Sequence, residues 1–107
     1  TLVLHIAAKV DNIEAVISFS PGSYFDEDLG VLSDKIKGLE MPLFMTSSKE
    51  EAPELAKMLD GIELKENQIQ FIPESEGNHG SRALWKTDPN NEEYWEAIFN
   101  FFSDIGY

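Results

Sequence analysis

His79 and a pair of glutamates are the residues of this sequence that could carry out acid–base chemistry together. His79 is one of two histidines and lies in a glycine-rich stretch, "EGNHGS", that follows a short apolar run. Glu50 and Glu51 follow an earlier apolar run. A carboxylate beside an imidazole fixes the tautomer and stabilises the protonated form, which orients a general base that works near neutral pH. Such a pair requires a fold that brings His79 close to one of the two glutamates.

The apolar patterns of the chain predict helices and strands that alternate. Helices are predicted over residues 1–10, 31–39, 48–61 and 90–107, and strands over residues 13–19, 42–47 and 68–73. A further short turn of helix is expected at "SRALW", residues 81–85.

This alternation predicts an α/β domain with a parallel sheet of three strands, about four helices, and helices on both faces of the sheet. Active residues of such folds lie in loops beyond the carboxyl ends of the strands. Three loops meet that description, residues 20–29, 47–52 and 74–82. The second loop holds Glu50 and Glu51 and the third holds His79, so adjacent strands would bring them within reach.

Glu51 also has a purely structural interpretation. Ser48-x-x-Glu51 matches a capping box, in which a serine and a glutamate satisfy each other's backbone amides at the start of a helix. From the sequence alone, Glu51 could therefore serve the helix, the histidine or both.

The periodicity also predicts which helix faces are buried. In the first helix Leu2, Ile6 and Val10 repeat at i, i+4 and i+8. The expected core positions of the later helices are Leu32, Ile36, Leu55, Met58, Leu59, Trp95, Ile98, Phe99 and Phe102. His5 lies among apolar neighbours in the first helix and has no evident partner, so a packing or surface role is expected rather than a functional one.

Composition excludes several classes of partner. The net charge of −12 repels phosphate backbones, so nucleic acid is not an expected partner. No apolar run approaches the about 20 residues of a membrane-spanning helix. There are no cysteines, and the two histidines lack metal-ligand spacing. The acidic run of residues 26–28 lacks the spaced oxygen ligands of a calcium loop, and no Gly-rich phosphate loop follows a strand, so no metal or cofactor is predicted.

The ordered segments "VISFSPGSYF", "MPLFMTSSKEEA" and "ESEGNHGSRAL", followed by an aromatic helix, resemble the C-terminal half of the α/β-hydrolase fold. The dienelactone-hydrolase-like and esterase branch is the most similar. The resemblance implies that Glu51 is the acid of a Ser-His-acid triad, with Glu50 as the second choice, and that His79 is its histidine. Ser48 stands where many members have glycine, and glutamate replaces the commoner aspartate acid.

The family places its nucleophile in G-x-S-x-G on a sharp turn between a strand and a helix, and this sequence has no such motif. Ser20, Ser23 and Ser81 do not lie between glycines at such a turn. Because the first helix also lacks a capping residue, we expect residues 1–107 to be one domain that forms the C-terminal part of a larger hydrolase, with the nucleophile just upstream.

The resemblance thus implies hydrolysis of a small-molecule carboxylic ester or related acyl bond, with no activity expected from this chain alone. Phe25, Leu29 and Trp85 are candidates for lining a pocket near His79. The alternative is a non-catalytic α/β module that binds or associates through an exposed sheet edge. In either case the edge of a small parallel sheet would need covering, by the missing half or by self-association.

Overall fold

The computed structural model describes residues 1–107 and contains three strands, five α-helices and a short 3-10 helix. The 3-10 helix spans Gly80–Leu84, directly after His79. None of the helices combines the length and the apolar composition that a membrane-spanning segment requires. The elements in chain order are α1 (Leu2–Ala7), β1 (Val16–Phe19), α2 (Asp26–Leu29), α3 (Leu32–Lys37), β2 (Leu43–Thr46), α4 (Ala52–Leu59), β3 (Gln68–Phe71) and α5 (Asn91–Asp104).

The three strands form one parallel sheet, which confirms the prediction of a three-stranded parallel sheet, and their order is β1-β2-β3. The register pairs Val16 with Leu43 and Leu43 with Gln68. All carboxyl ends therefore lie at one edge of the sheet, as parallel pairing requires. That edge gathers the three loops that hold the candidate site residues.

Helices cover both faces of the sheet, as the alternation predicted. On one face the larger core packs side chains of α1, α3 and α4 against the alternate strand residues Val16, Leu43 and Met45. On the other face Phe44 packs against Ile98 and Phe101 of α5. The central strand β2 is buried over its whole length, which is typical of a strand between two helical layers.

The buried face of α1 differs from the predicted one. Leu2, Ile6 and Val10 are about half exposed, whereas Leu4 and Ala7 are buried against the sheet. The physical reason is that α1 is apolar on most of its surface, so its periodicity does not select one face. Its packing against β1 and α3 selects the face that carries Leu4.

The aromatic helix α5 is also rotated relative to its prediction. Trp95 and Phe99 stack on each other at the surface, and Phe99 is 64 % exposed. The prediction for Ile98 is confirmed, since it is buried together with Tyr94 and Phe101. Phe102 is partly buried. The helix carries two overlapping apolar stripes, and the stripe that is buried is the one that contains Tyr94.

The short amphipathic helices follow their predictions more closely. Leu32 and Ile36 of α3 are buried, and so are Leu55 and Leu59 of α4, while Met58 is partly buried.

The observed strands are shorter than predicted, since each covers four residues. The helix predicted from Ser48 begins as turns and becomes α-helical at Ala52.

Candidate functional site

His79 and Glu51 meet at the carboxyl edge of the sheet. Nδ1 of His79 contacts Oε1 of Glu51, and the two residues lie 28 positions apart in the chain. Glu51 comes from the loop that follows β2, and His79 comes from the loop that follows β3. Glu50 is exposed and forms no ion pair with the imidazole, so the geometry pairs His79 with Glu51 rather than with its neighbour.

The second carboxylate oxygen of Glu51 is held by serine groups. Oε2 accepts hydrogen bonds from Oγ of Ser20 at 2.8 Å, from Oγ of Ser48 at 3.0 Å and from the backbone N–H of Ser48 at 3.2 Å. Burial raises the pKa of Glu51, but hydrogen bonds from His79, Ser20 and Ser48 outweigh burial and lower this pKa below its usual value. The carboxylate is therefore ionised at neutral pH.

The capping-box interpretation and the histidine contact hold at the same time. The backbone N–H of Glu51 donates to Oγ of Ser48 at 3.3 Å, while the N–H of Ser48 donates to Oε2 of Glu51. This reciprocal pair is the pattern of a capping box. Because it uses only Oε2, it leaves Oε1 available for His79.

Ser20 belongs to the site although the sequence suggested it only as a poor nucleophile. It follows β1 directly, is 8 % exposed, and has φ +48°, a conformation that is uncommon for residues other than glycine. Its Oγ accepts a hydrogen bond from the N–H of Gly80 at 2.9 Å and donates to Glu51. The usable signal was its position at the carboxyl end of β1, the same edge that holds His79 and Glu51.

The loop before His79 is anchored by two of its backbone carbonyls and by the side chain of Asn78. The N–H of Lys49 donates to the carbonyl of Glu76 at 2.8 Å, and Nζ of Lys49 donates to the carbonyl of Glu74 at 2.9 Å. Nδ2 of Asn78 donates to Asp88 at 3.2 Å. These bonds connect the His79 loop to the Glu51 loop and to the segment before α5.

Two side chains at the start of α5 support the loops of the site, Glu93 the loop after β3 and Tyr94 the loop after β2. Glu93 accepts hydrogen bonds from the backbone N–H groups of Glu74 and Ser75 and from the Ser75 hydroxyl. The fully buried Tyr94 donates from its hydroxyl to the carbonyl of Ser47 at 2.8 Å. Burial raises the pKa of Tyr94 to about 12, so the phenol remains a proton donor at neutral pH.

Two open cavities adjoin Glu51. One, of about 500 Å³, is lined only by non-hydrophobic residues that include Glu50, Glu51 and His79. The other, of about 610 Å³, lies between the loop after β1 and α4. The pocket candidates Phe25, Leu29 and Trp85 line neither of these two cavities. The loop after β1 contributes Tyr24 to the larger cavity instead.

No hydroxyl of the chain is placed as a nucleophile against His79. The Ser20 hydroxyl donates to Glu51, Ser23 and Ser81 are exposed residues without a bond to the imidazole, and the His79 side chain is 60 % exposed. His5 is buried, which agrees with packing, although neither of its ring nitrogens has a hydrogen-bond partner. No group of three or more His, Asp or Glu side chains could hold a metal ion.

No family model, curated protein or solved structure matches the chain. The α/β-hydrolase relationship accordingly stays a prediction that rests on the residues quoted from the sequence.

Proposed function

We propose that this chain carries the histidine and the acid of a Ser-His-acid hydrolase that acts on carboxylic esters or related acyl bonds. His79 is the general base and Glu51 is the carboxylate that orients it. The contact between Nδ1 of His79 and Oε1 of Glu51, formed across two loops at the carboxyl edge of the sheet, is the observation that carries the proposal. The proposed family relationship rests on the sequence resemblance.

The contact determines which ring nitrogen can do chemistry. An ionised Glu51 accepts a hydrogen bond from Nδ1–H of His79, so the ring proton lies on Nδ1 and the free lone pair lies on Nε2. Nε2 can then remove a proton from an attacking hydroxyl and return it to the departing alkoxide of the ester. The ionised carboxylate stabilises the imidazolium that exists between these two transfers.

The nucleophile and the oxyanion-binding groups are proposed to come from residues outside these 107. Two observations support this part of the proposal: the sequence has no G-x-S-x-G, and no serine hydroxyl of the chain bonds to the imidazole. Attack requires the nucleophilic hydroxyl within hydrogen-bond reach of the base. The chain alone is therefore expected to hydrolyse no ester.

Labelling with a fluorophosphonate tests the proposed function. The probe forms a covalent bond with an activated serine, so we expect it to label the full protein encoded by the gene and not the 107-residue chain. Peptide mass mapping should place the label outside residues 1–107. Replacing His79 by asparagine should abolish labelling, while Ser23→Ala in the same protein should not. Labelling that survives His79→Asn would overturn the proposal.

A second candidate function is a non-catalytic association module, which the open edge of β1 favours. The N–H groups of Val16 and Ser20 donate to the carbonyls of Pro42 and Thr46 on the β2 side. By alternation the backbone groups of Ile17 and Phe19 therefore point away from the sheet. Pairing of this strand with β1 of a second copy would cover the edge. Light scattering on the purified chain should then give a dimer, and a proline at Ile17 should return it to a monomer.

A further inference from the structure

Ser20 occupies a position that connects the loops after all three strands. It ends β1, its hydroxyl donates to Glu51 after β2, and it accepts the N–H of Gly80 after β3. Gly80 follows His79 directly in the chain. These contacts therefore close a ring of four residues, Ser20, Glu51, His79 and Gly80. The ring consists of two hydrogen bonds of Ser20, the contact between Glu51 and His79, and the peptide bond from His79 to Gly80.

The direction of each bond in this ring is fixed by chemistry. The N–H of Gly80 can only donate, so it occupies an acceptor site on Oγ of Ser20. An ionised carboxylate can only accept, so the Ser20 hydroxyl hydrogen must point to Oε2 of Glu51. Hydrogen bonds to a charged acceptor are stronger than those between neutral groups.

The backbone of Ser20 indicates that the position is determined by its surroundings. A φ of +48° is costly for a residue with a side chain and persists where neighbouring structure imposes it. Glycine would adopt this conformation more readily. The backbone conformation thus favours glycine at this position, and what serine adds is its hydroxyl.

We infer that Ser20 is a positioning residue that holds Glu51 and the backbone after His79 in register, so that Oε1 of Glu51 faces Nδ1 of His79. The inference rests on the proposed function for the meaning of that contact, but the ring itself can be tested in the chain alone. Ser20 touches neither nucleophile nor substrate in this role.

The test uses two substitutions that remove the hydroxyl and differ in the backbone. Ser20→Ala keeps the unfavourable φ, whereas Ser20→Gly relieves it. Ser23→Ala is the matched control, since Ser23 is an exposed serine of the same loop. The readouts are the titration of the Glu51 carboxyl by ¹³C NMR and the ¹⁵N spectrum of the His79 imidazole, with thermal unfolding measured alongside.

We expect Ser20→Ala and Ser20→Gly both to move the Glu51 pKa upward, because the carboxylate loses one donor. Both should also convert the His79 ring from one tautomer to a mixture, while Ser23→Ala changes neither readout. If Ser20→Ala fails to fold, Ser20→Gly decides the question because its backbone is unstrained. A Glu51 titration and His79 tautomer that stay unchanged in Ser20→Gly would overturn the inference, even if the melting temperature changed.

The two proposals fail in different measurements. If Ser20→Gly leaves the Glu51 titration unchanged while His79→Asn abolishes fluorophosphonate labelling, the positioning role is wrong and the hydrolase function is supported. If the labelling experiment fails and Ser20→Gly shifts both NMR readouts, Ser20 positions the pair and the pair serves another purpose.

Discussion

Alanine at Gly77 should disturb the loop that carries His79 through one crowded contact. A Cβ built at this position would lie 1.9 Å from the hydroxyl oxygen of Tyr94 and 2.9 Å from its Cζ. The backbone there has φ +68°, which side-chain-bearing residues rarely adopt. Something must shift to admit the methyl group, and we expect the tyrosine to move away and to lose its hydrogen bond to the carbonyl of Ser47.

The expected loss of stability has two parts. An alanine in left-handed backbone conformation costs about 1–2 kcal/mol. A buried carbonyl that loses its only donor costs about a further 1–3 kcal/mol, which applies to Ser47 once Tyr94 is displaced. Gly77→Ala should therefore lower the free energy of unfolding by about 2–5 kcal/mol.

Urea denaturation at 25 °C measures this loss, with Gly61→Ala as the matched control. Gly61 has φ +79°, but a Cβ there would have no heavy atom within 4 Å. This variant should lose only the backbone part, about 1–2 kcal/mol. In a Tyr94→Phe background the excess cost of Gly77→Ala should shrink, because the closest atom is gone. Equal losses for Gly77→Ala and Gly61→Ala would refute the reasoning that a side chain at residue 77 displaces Tyr94 from its hydrogen bond to Ser47.

Three further outcomes follow from single groups. Burial raises the pKa of Glu51 and of Glu93, but hydrogen bonds to the carboxylates outweigh burial and lower both pKa values. The stability that these two carboxylates contribute is therefore complete above the carboxyl pKa of the unfolded chain, and it is lost as the pH falls through their pKa in the folded chain. Urea midpoints should drop less between pH 6 and pH 3 in Glu51→Gln than in the unaltered chain, and equal drops would contradict this. In a spectrophotometric titration Tyr94→Phe should remove a step near pH 12, whereas loss of a step near pH 10 would contradict the effect of burial. His5→Leu should raise the free energy of unfolding by about 1 kcal/mol because it removes unpaired buried nitrogens, and a comparable decrease would mean that the imidazole has a partner.

The edge at which the site lies could be predicted because the alternation of strands and helices implies parallel strands, whose carboxyl ends lie at the same edge. Parallel strands with short connecting helices place successive loops side by side, which was enough to bring Glu51 and His79 together. The choice between Glu50 and Glu51 could not be made from the residues alone. It depends on the turns before α4, which direct Glu51 to Ser48 and His79 and leave Glu50 exposed.

Helix rotation could not be predicted where more than one stripe of the helix is apolar. In α5 both the stripe with Phe99 and the stripe with Phe101 satisfy the helical period. The hydroxyl of Tyr94 reaches the end of β2, and this long-range bond is formed only when the Phe101 stripe faces the sheet. In α1 the same ambiguity is resolved by contact with β1 and α3.

The role of Ser20 could not be predicted because its partners are distant in the chain. It lies 31 positions from Glu51 and 60 from Gly80, and no local pattern marks such bonds. The positive φ of Ser20 could not be predicted either, since positive φ is normally expected at glycine or asparagine. The sequence predicts that Ser20 lies at the carboxyl edge of the sheet, but its two hydrogen-bond partners are seen only in the folded structure.

Ester hydrolysis by the full protein encoded by the gene tests the central claim most directly. With p-nitrophenyl acetate, Glu51→Gln should lower kcat/KM by at least about 100-fold, because the imidazole loses its orienting charge. Glu50→Gln should change kcat/KM by less than about fivefold, the effect of one exposed charge. Equal effects of the two substitutions, or a larger effect at Glu50, would contradict the assignment of Glu51 and His79 as the acid and base of a hydrolase.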